Sequence, residues 1–439
     1  MSIRLPAPTI IKNMFYIYAS LILNHFLRAI YLVAIARILG ADIYGLLAYG
    51  QTWYMAFLPF TTLGLGTLLV RKLAVDRIAG AKLARQIFAI QIISVIALTA
   101  ACILLGFNAE DDSRATQLLL IFSIALLARG FCQWSDSMFI AYEKPREKLN
   151  IDKYIRSIEV TLGITIAYIT QNVVFVAISH ALMWSLQAAI QYRVVNAKLL
   201  PITPDFSYKV MGGLVFKALP MGASIVLNAI VVPLVIISYK SFGANNSEIA
   251  NFSIDMQAFV ILLAVFAAIA QASGPALRRS MLTGNDKLIT YAVYFFRLSV
   301  AYGFFAVIAA ELIGEIFINA VLGKGYALAG QYLDILMYAL IPSGIITASL
   351  TVFNVLGKFY LGLIVNAIGV IVTTLMLYVF LTKGDYQSAL LAMLFGYVVA
   401  SIFAVVMLAN LLKWAYVKRI LSALCVLILL VGYGFFSYR

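Results

Sequence analysis

Runs of about twenty apolar residues recur along the whole chain, which is the length a helix needs to cross the hydrocarbon core of a bilayer. The polar stretches between them are short. Only helices or closed barrels can satisfy their backbone groups in that setting. The runs predict helices at 14–37, 44–70, 86–107, 116–141, 154–171 and 173–195, then at 215–241, 248–274, 290–313, 328–356, 359–382 and 386–412. A shorter apolar run lies at 420–437. Of 439 residues, 64% are hydrophobic and 11% are charged, against roughly 45–50% and 25% in soluble domains. The chain therefore reads as an all-α integral membrane protein with 12 core transmembrane helices and a thirteenth short one. The first run continues past Leu39 without a small-residue cleavage site, so it is expected to stay as a helix.

Net charge is +14, a balance that often marks nucleic-acid binding. Here most of the 32 Lys and Arg fall in short loops between apolar runs, as with Arg71-Lys72, Lys144 to Lys148 and Arg278-Arg279. That excludes a basic soluble face and a nucleic-acid partner. The same loops, counted by side, place the N-terminus in the cytoplasm. The other side has no loop longer than about Gly314 to Ala327, too short for an extramembrane catalytic domain. No zinc-protease, phosphate-loop or nucleophile-elbow motif occurs, so no enzyme is expected. Cys102, Cys132 and Cys425 all fall within apolar runs and far apart, which gives no metal spacing and no disulfide framework. No cofactor is called for.

The longest inner polar stretch, 196–214, carries Pro201, Pro204, Gly212 and Gly213. It separates an N-terminal lobe at 1–195 from a C-terminal lobe at 215–412, six helices each, and leaves 413–439 as an extra hydrophobic segment. The halves echo one another weakly. Gly40-Ala41 opens a turn and Arg71-Lys72 closes the next helix; Gly243-Ala244 and Arg278-Arg279 repeat that order. Repeats in the same sense across the membrane are one plan for a transporter with its site between the halves.

Residues 37–45 form the most specific motif. Ala36, Arg37, Leu39, Gly40, Tyr44 and Gly45 are carried on the pattern A-R-x-L-G-x-x-x-Y-G, after a long helix with an early Asn. This resembles the opening of Wzx-type polysaccharide-export flippases, members of the multidrug/oligosaccharidyl-lipid/polysaccharide transporter superfamily. Lys217 to Pro220 and Pro275 to Arg279 are similar to that family's second half. The resemblance implies two six-helix lobes in the bacterial inner membrane. It implies as cargo an undecaprenyl-diphosphate-linked oligosaccharide, moved from the inner to the outer leaflet by alternating access. It also implies membrane lipids, a polysaccharide polymerase and chain-length proteins as partners. The run 420–437 departs from the family's twelve helices. Physically, Gly40 and Gly45 permit the positive φ of a tight corner and Arg37 can reach the headgroups, so Arg37, Gly40, Tyr44 and Gly45 read as a structural turn.

A charge at the centre of a membrane helix costs about 2.5–3.5 kcal/mol unless it meets a partner or water. Asn24, His25 and Arg28 lie mid-helix, and Asn24 and Arg28 share a face. They read as a polar stripe on a cavity between the lobes, with Arg28 and Arg129 meeting a diphosphate; a carboxylate partner for Arg28 is the alternative. Asp136 follows Arg129 by two turns and is either its neutraliser or a coupling carboxylate. Glu159 sits at ion-pair spacing from Arg156 or serves as a protonatable group coupling transport to an ion gradient. Asp255 is a third coupling candidate, or a hydrated acid near a helix end. His180 reads as a packed residue. Pro220 and Pro233 break the backbone ladder of the seventh helix, which with the first is expected to form a moving gate. Two other transport functions stay open: a cation-coupled multidrug antiporter of the same superfamily, which wants central acids, and a peptidoglycan-precursor flippase, whose lipid carries the same diphosphate.

Overall fold

The computed structural model describes residues 7–73, 76–109, 112–280, 286–380 and 385–412. The apolar run at 420–437 lies outside the described residues. The described chain is helical, with α1 (Ala7–Thr62), α2 (Leu65–Leu73), α3 (Arg77–Ala109), α4 (Ser113–Ala141), α5 (Pro145–Thr170) and α6 (Val173–Lys198). There follow α7 (Tyr208–Ser241), α8 (Asn246–Ser280), α9 (Asp286–Ala309), α10 (Glu315–Leu322), α11 (Ala327–Tyr338), α12 (Leu340–Val355), α13 (Phe359–Phe380) and α14 (Tyr386–Leu412). Among the described residues, nine helices are long and apolar enough to cross a membrane, or ten if a bent pair is one span. The protein is a multi-pass membrane protein.

The expected corner at 37–45 shrinks to one residue. Only Gly40 leaves helical geometry, at φ 76°, ψ 167°, and α1 runs on through Tyr44 and Gly45. Tyr44 and Gly45 are buried within it and Arg37 is exposed. Gly45 therefore supplies no positive φ; Gly40 alone makes the bend. Gly243, its counterpart in the echo, also takes positive φ, at 102°. The expected span 328–356 is bent by 40° between α11 and α12. Pro342 opens α12 there, and a proline removes one backbone bond to the preceding turn. The helix expected at 290–313 runs from α9 through a π-helical turn, Ala310–Gly314, into α10.

The chain divides into two compact units, Met1–Val226 and Leu227–Arg439. In the first, α1 packs on α4 and α5, and α6 packs on α4 and α5. Close approach needs small residues in a membrane bundle. A Cβ on Gly163 of α5 would lie 2.4 Å from the Tyr31 ring of α1. Gly222 of α7 meets the turn between α1 and α2 in the same way, its missing Cβ 2.2 Å from the Leu63 carbonyl oxygen. The segment before α7 is tied back to α3: Gln86 donates to the Asp205 carboxylate at 3.2 Å, and Ser207 donates to it at 2.6 Å. The Ser207 hydroxyl holds this carboxyl below its usual range.

In the second unit α8 packs on α11 and α12, and α13 packs on α14. A Cβ on Gly396 of α14 would fall 1.9 Å from the Thr373 hydroxyl of α13.

Candidate functional site

Four helices of the first unit each turn a polar stripe inward at helical spacing. These are Ser20, Asn24, Arg28 and Tyr31 on α1; Arg129, Gln133 and Asp136 on α4; Lys148, Asp152, Arg156 and Glu159 on α5; and His180, Trp184, Gln187 and Gln191 on α6. Residues three and four apart lie on one face of a helix, so each stripe is fixed by sequence alone. α5 is the least apolar of the four helices because it carries this stripe. Its Asp152, Arg156 and Glu159 are buried inside the unit, so the charges are paid for by partners rather than by water.

The stripes enclose a cavity of about 360 Å³ lined by Asn24, His25, Arg28, Tyr54, Arg129 and Trp184 among others. That volume falls in the ordinary range for small-molecule sites, about 300–1,000 Å³. One wall is a continuous bonded network. Asp152 accepts from Ser20 (2.5 Å), Asn24 (3.1 Å), Lys148 (2.6 Å) and Gln187 (3.0 Å). Asp136 pairs with Lys148 at 3.3 Å and accepts from Gln191 at 3.1 Å. Glu159 pairs with Arg156 and has His180 Nδ1 at 2.7 Å. Arg156 also donates to Gln187. His180 Nε2 lies 3.2 Å from the Tyr54 hydroxyl.

All three cavity carboxylates are thus taken by Lys148 or Arg156. Arg28 and Arg129 form no ion pair among the described residues. Arg28 Nη2 has only the Met55 sulfur, at 3.6 Å, a weak acceptor. Arg129 donates to the Tyr54 hydroxyl at 2.9 Å and lies 4.6 Å from the centre of the Trp184 ring, which Arg156 also covers at 3.6 Å. The two unpaired guanidiniums are near enough to repel one another. Three buried donors on the wall also lack partners: the Tyr31 hydroxyl, Trp184 Nε1 and Arg156 Nε. A cavity with surplus cations and idle donors, whose acids are all engaged, suits an anion with several oxygens.

The structure brings Asn24, His25, Arg28 and Arg129 to one cavity, with Asn24 serving Asp152. Asp136 does not neutralise Arg129; Lys148 takes it, because Lys148 is nearer and bridges Asp136 to Asp152. Glu159 makes the local pair its spacing called for, but His180 joins it, so His180 is a network member and not filler. Asp255 is not hydrated: it is 0% exposed and accepts from Tyr386 at 2.6 Å. Pro233 is buried and Pro220 exposed, both within an unbroken α7. Sequence reasoning missed Lys148 and Asp152, read as loop residues, and Tyr54, Trp184 and Gln187. The polar residues of α6 at three- and four-residue spacing were the available signal.

Residues 10–281 match the family described as "Polysaccharide biosynthesis protein". No curated protein sequence matches the chain. Among solved structures the chain is similar to the lipid II flippase MurJ in an inward closed conformation. That match has a TM-score of 0.70 at 12% identity, covering 98% of this chain and 99% of that one. It is also similar to an inward-facing multidrug resistance MATE family transporter of the MOP superfamily, with a TM-score of 0.69 at 13% identity over 90% and 94% of the two chains. A Vibrio cholerae MATE transporter gives a TM-score of 0.61 at 13% identity over 96% and 98%. The shared feature at this identity is the fold, a MATE- and MurJ-like helical bundle. With more than half of its length matched, the chain belongs to the polysaccharide biosynthesis protein family.

Proposed function

We propose that the protein flips an undecaprenyl-diphosphate-linked oligosaccharide, a repeat unit of O-antigen or another surface polysaccharide, from the inner to the outer leaflet of the bacterial inner membrane. It does so by alternating access between two six-helix lobes, with its N-terminus in the cytoplasm. The observation that carries this reading is the pair of unpaired arginines, Arg28 and Arg129, on a cavity whose carboxylates are all engaged. Two unit charges 4 Å apart interact by about 4 kcal/mol at an effective dielectric near 20. Two arginines therefore hold a diphosphate firmly enough to draw a head group into the membrane, yet release it. The idle donors of Tyr31 and Trp184 add hydrogen bonds to its oxygens.

An organic-cation antiporter needs acids free for its cargo. Asp136 and Glu159 are bound to Lys148 and Arg156, which disfavours that function and also a coupling role for those two acids. Gating falls to α1 and α7, with Pro220 and Pro233 loosening α7.

The test uses the purified full chain in liposomes with a fluorescent undecaprenyl-diphosphate glycolipid, and a membrane-impermeant quencher reads the leaflet. Wild-type protein equilibrates the lipid across the bilayer, and the Arg28→Ala, Arg129→Ala double variant slows this at least about tenfold, the equivalent of one lost charged contact. Unchanged flipping by a double variant that still inserts would sink the assignment. The same assay with a peptidoglycan precursor separates the two cargoes.

A further inference from the structure

Both spare arginines line one cavity, yet only Arg129 is held in place. Its guanidinium donates to the Tyr54 hydroxyl at 2.9 Å and lies 4.6 Å from the centre of the Trp184 ring. Arg28 has only the sulfur of Met55, the residue after Tyr54 on α1.

Tyr54 is itself fixed from two sides. Its ring stacks on Phe122 of α4, 5.6 Å between centres and 18° from parallel, and both side chains are buried. Gly50, one turn before Tyr54 on α1, leaves the space for that stack: a Cβ there would lie 3.0 Å from the Phe122 ring. The Tyr54 hydroxyl also lies 3.2 Å from His180 Nε2, and His180 Nδ1 lies 2.7 Å from Glu159 Oε1. Glu159 pairs in turn with Arg156, which donates to Gln187 and so joins Asp152. Tyr54 therefore connects a spare cation to the bonded wall.

With a neutral imidazole, one set of protons satisfies this chain. A carboxylate only accepts, so at 2.7 Å from Glu159 the His180 Nδ1 carries the hydrogen. Nε2 is then the acceptor of the ring, and the Tyr54 O–H donates to it. That spends the phenol's one hydrogen and turns an oxygen lone pair to Arg129. The order is Arg129 to Tyr54 to His180 to Glu159, each donating to the next. An acid in the place of Tyr54 would also hold Arg129, but it would compete with an anion for the charge. A phenol oxygen is neutral and takes one guanidinium N–H, and the indole face of Trp184 takes none. Arg129 is thus aimed without being neutralised.

We propose that Tyr54 is the positioning residue of the cavity, holding Arg129 toward a diphosphate oxygen, an assignment that rests on the cavity taking an anion. His180, fixed as the Nδ1–H tautomer by Glu159, holds Tyr54 in turn. The diphosphate is that of the same lipid head.

The chain has two histidines, His25 and His180. Isotope-labelled histidine in the full protein, read by nitrogen NMR in lipid nanodiscs, therefore gives two imidazole spectra, and His25→Gln assigns them. His180 is expected to show a protonated Nδ1 and an unprotonated, hydrogen-bonded Nε2 at neutral pH. Tyr54→Phe keeps the ring and removes the hydroxyl. It moves the His180 Nε2 signal to that of an unbonded nitrogen and weakens binding of inorganic pyrophosphate about tenfold, the scale of one hydrogen bond to a charged group. A residue that only packs would lower the melting temperature and move neither readout. Wild-type pyrophosphate affinity in Tyr54→Phe, beside a loss in Arg129→Ala, overturns the positioning role and leaves the anion cavity standing. Failure of the wild-type protein to bind pyrophosphate overturns both. If Tyr54→Phe does not insert, the wild-type spectrum decides. A hydrogen on Nε2 overturns the assignment, since His180 would then donate to Tyr54, and a bare, hydrogen-bonded Nε2 supports it.

Discussion

In the first unit every cavity carboxylate has a cation and an amide or imidazole against it, and two arginines are left over. In the second unit the imbalance runs the other way: neither Asp334 nor Asp255 has an ion pair among the described residues, and Asp255 has one tyrosine. That unit also has a crevice of about 20 Å³ lined by Asn228, Asn366, Thr373 and Tyr397, with no charged wall residue. One unit is thus left with guanidiniums that no acid balances, the other with acids that no described cation balances. Charge buried with its partner holds helices together, and an intramembrane charge without one marks a candidate site.

The sharpest way to break this contrast is to remove a paired cation and an unpaired one. Lys148→Met strands Asp136 and Asp152 in the cavity wall, and stranding a buried ion costs about 3–5 kcal/mol. Thermal unfolding in lipid nanodiscs is expected to show a large loss. Restoring neutrality with Asp136→Asn and Asp152→Asn recovers much of it. Arg28→Met leaves no acid behind and removes an unpartnered charge, so its melting temperature does not fall while glycolipid flipping does. Equal destabilisation by both substitutions would mean that Arg28 has a structural partner.

Helix separation gives a second comparison, of smaller effect. Gly163→Ala drives a methyl into the Tyr31 ring, and Gly396→Ala drives one into the Thr373 hydroxyl. Overpacking of this kind costs about 1–3 kcal/mol in either unit. Only the first wedges α1 from α5, where Ser20 and Asn24 reach Asp152. Flipping is therefore expected to drop in Gly163→Ala and to follow stability alone in Gly396→Ala.

The membrane class, most of the long apolar helices and the mid-helix position of Arg28 and Arg129 were legible in sequence because each shows within a single helix. Apolar length and an interrupting charge are local signals. Lys148 and Asp152 were not legible as site residues. They sit before an apolar run, and the run's apparent start hid the first turns of α5. The partner of each charge was out of reach for a different reason. Which helix faces which is set by packing, as where Gly163 lets α1 close on α5. Spacing could pair Arg156 with Glu159 on one helix but could not bring in His180 from another. The bend at Gly40 was placed correctly, but Gly45 was credited with a turn that one glycine makes alone.

The smallest expected effect belongs to a carboxyl outside both units' interiors. Asp205 is held low by the Ser207 hydroxyl and ties the stretch before α7 to Gln86. Its folded value lies below its unfolded one, so its contribution is present above the ordinary carboxylate range, about 3.9, and is lost as pH falls through the folded value. Solvent exposure keeps that contribution slight. Amide exchange at Met211, whose N–H bonds the Ser207 carbonyl at 3.0 Å, reads it locally. Asp205→Asn is expected to speed that exchange modestly near neutral pH, and the difference from wild type should vanish in acid. A difference that persisted in acid would show that the side chain acts through its shape and not its charge.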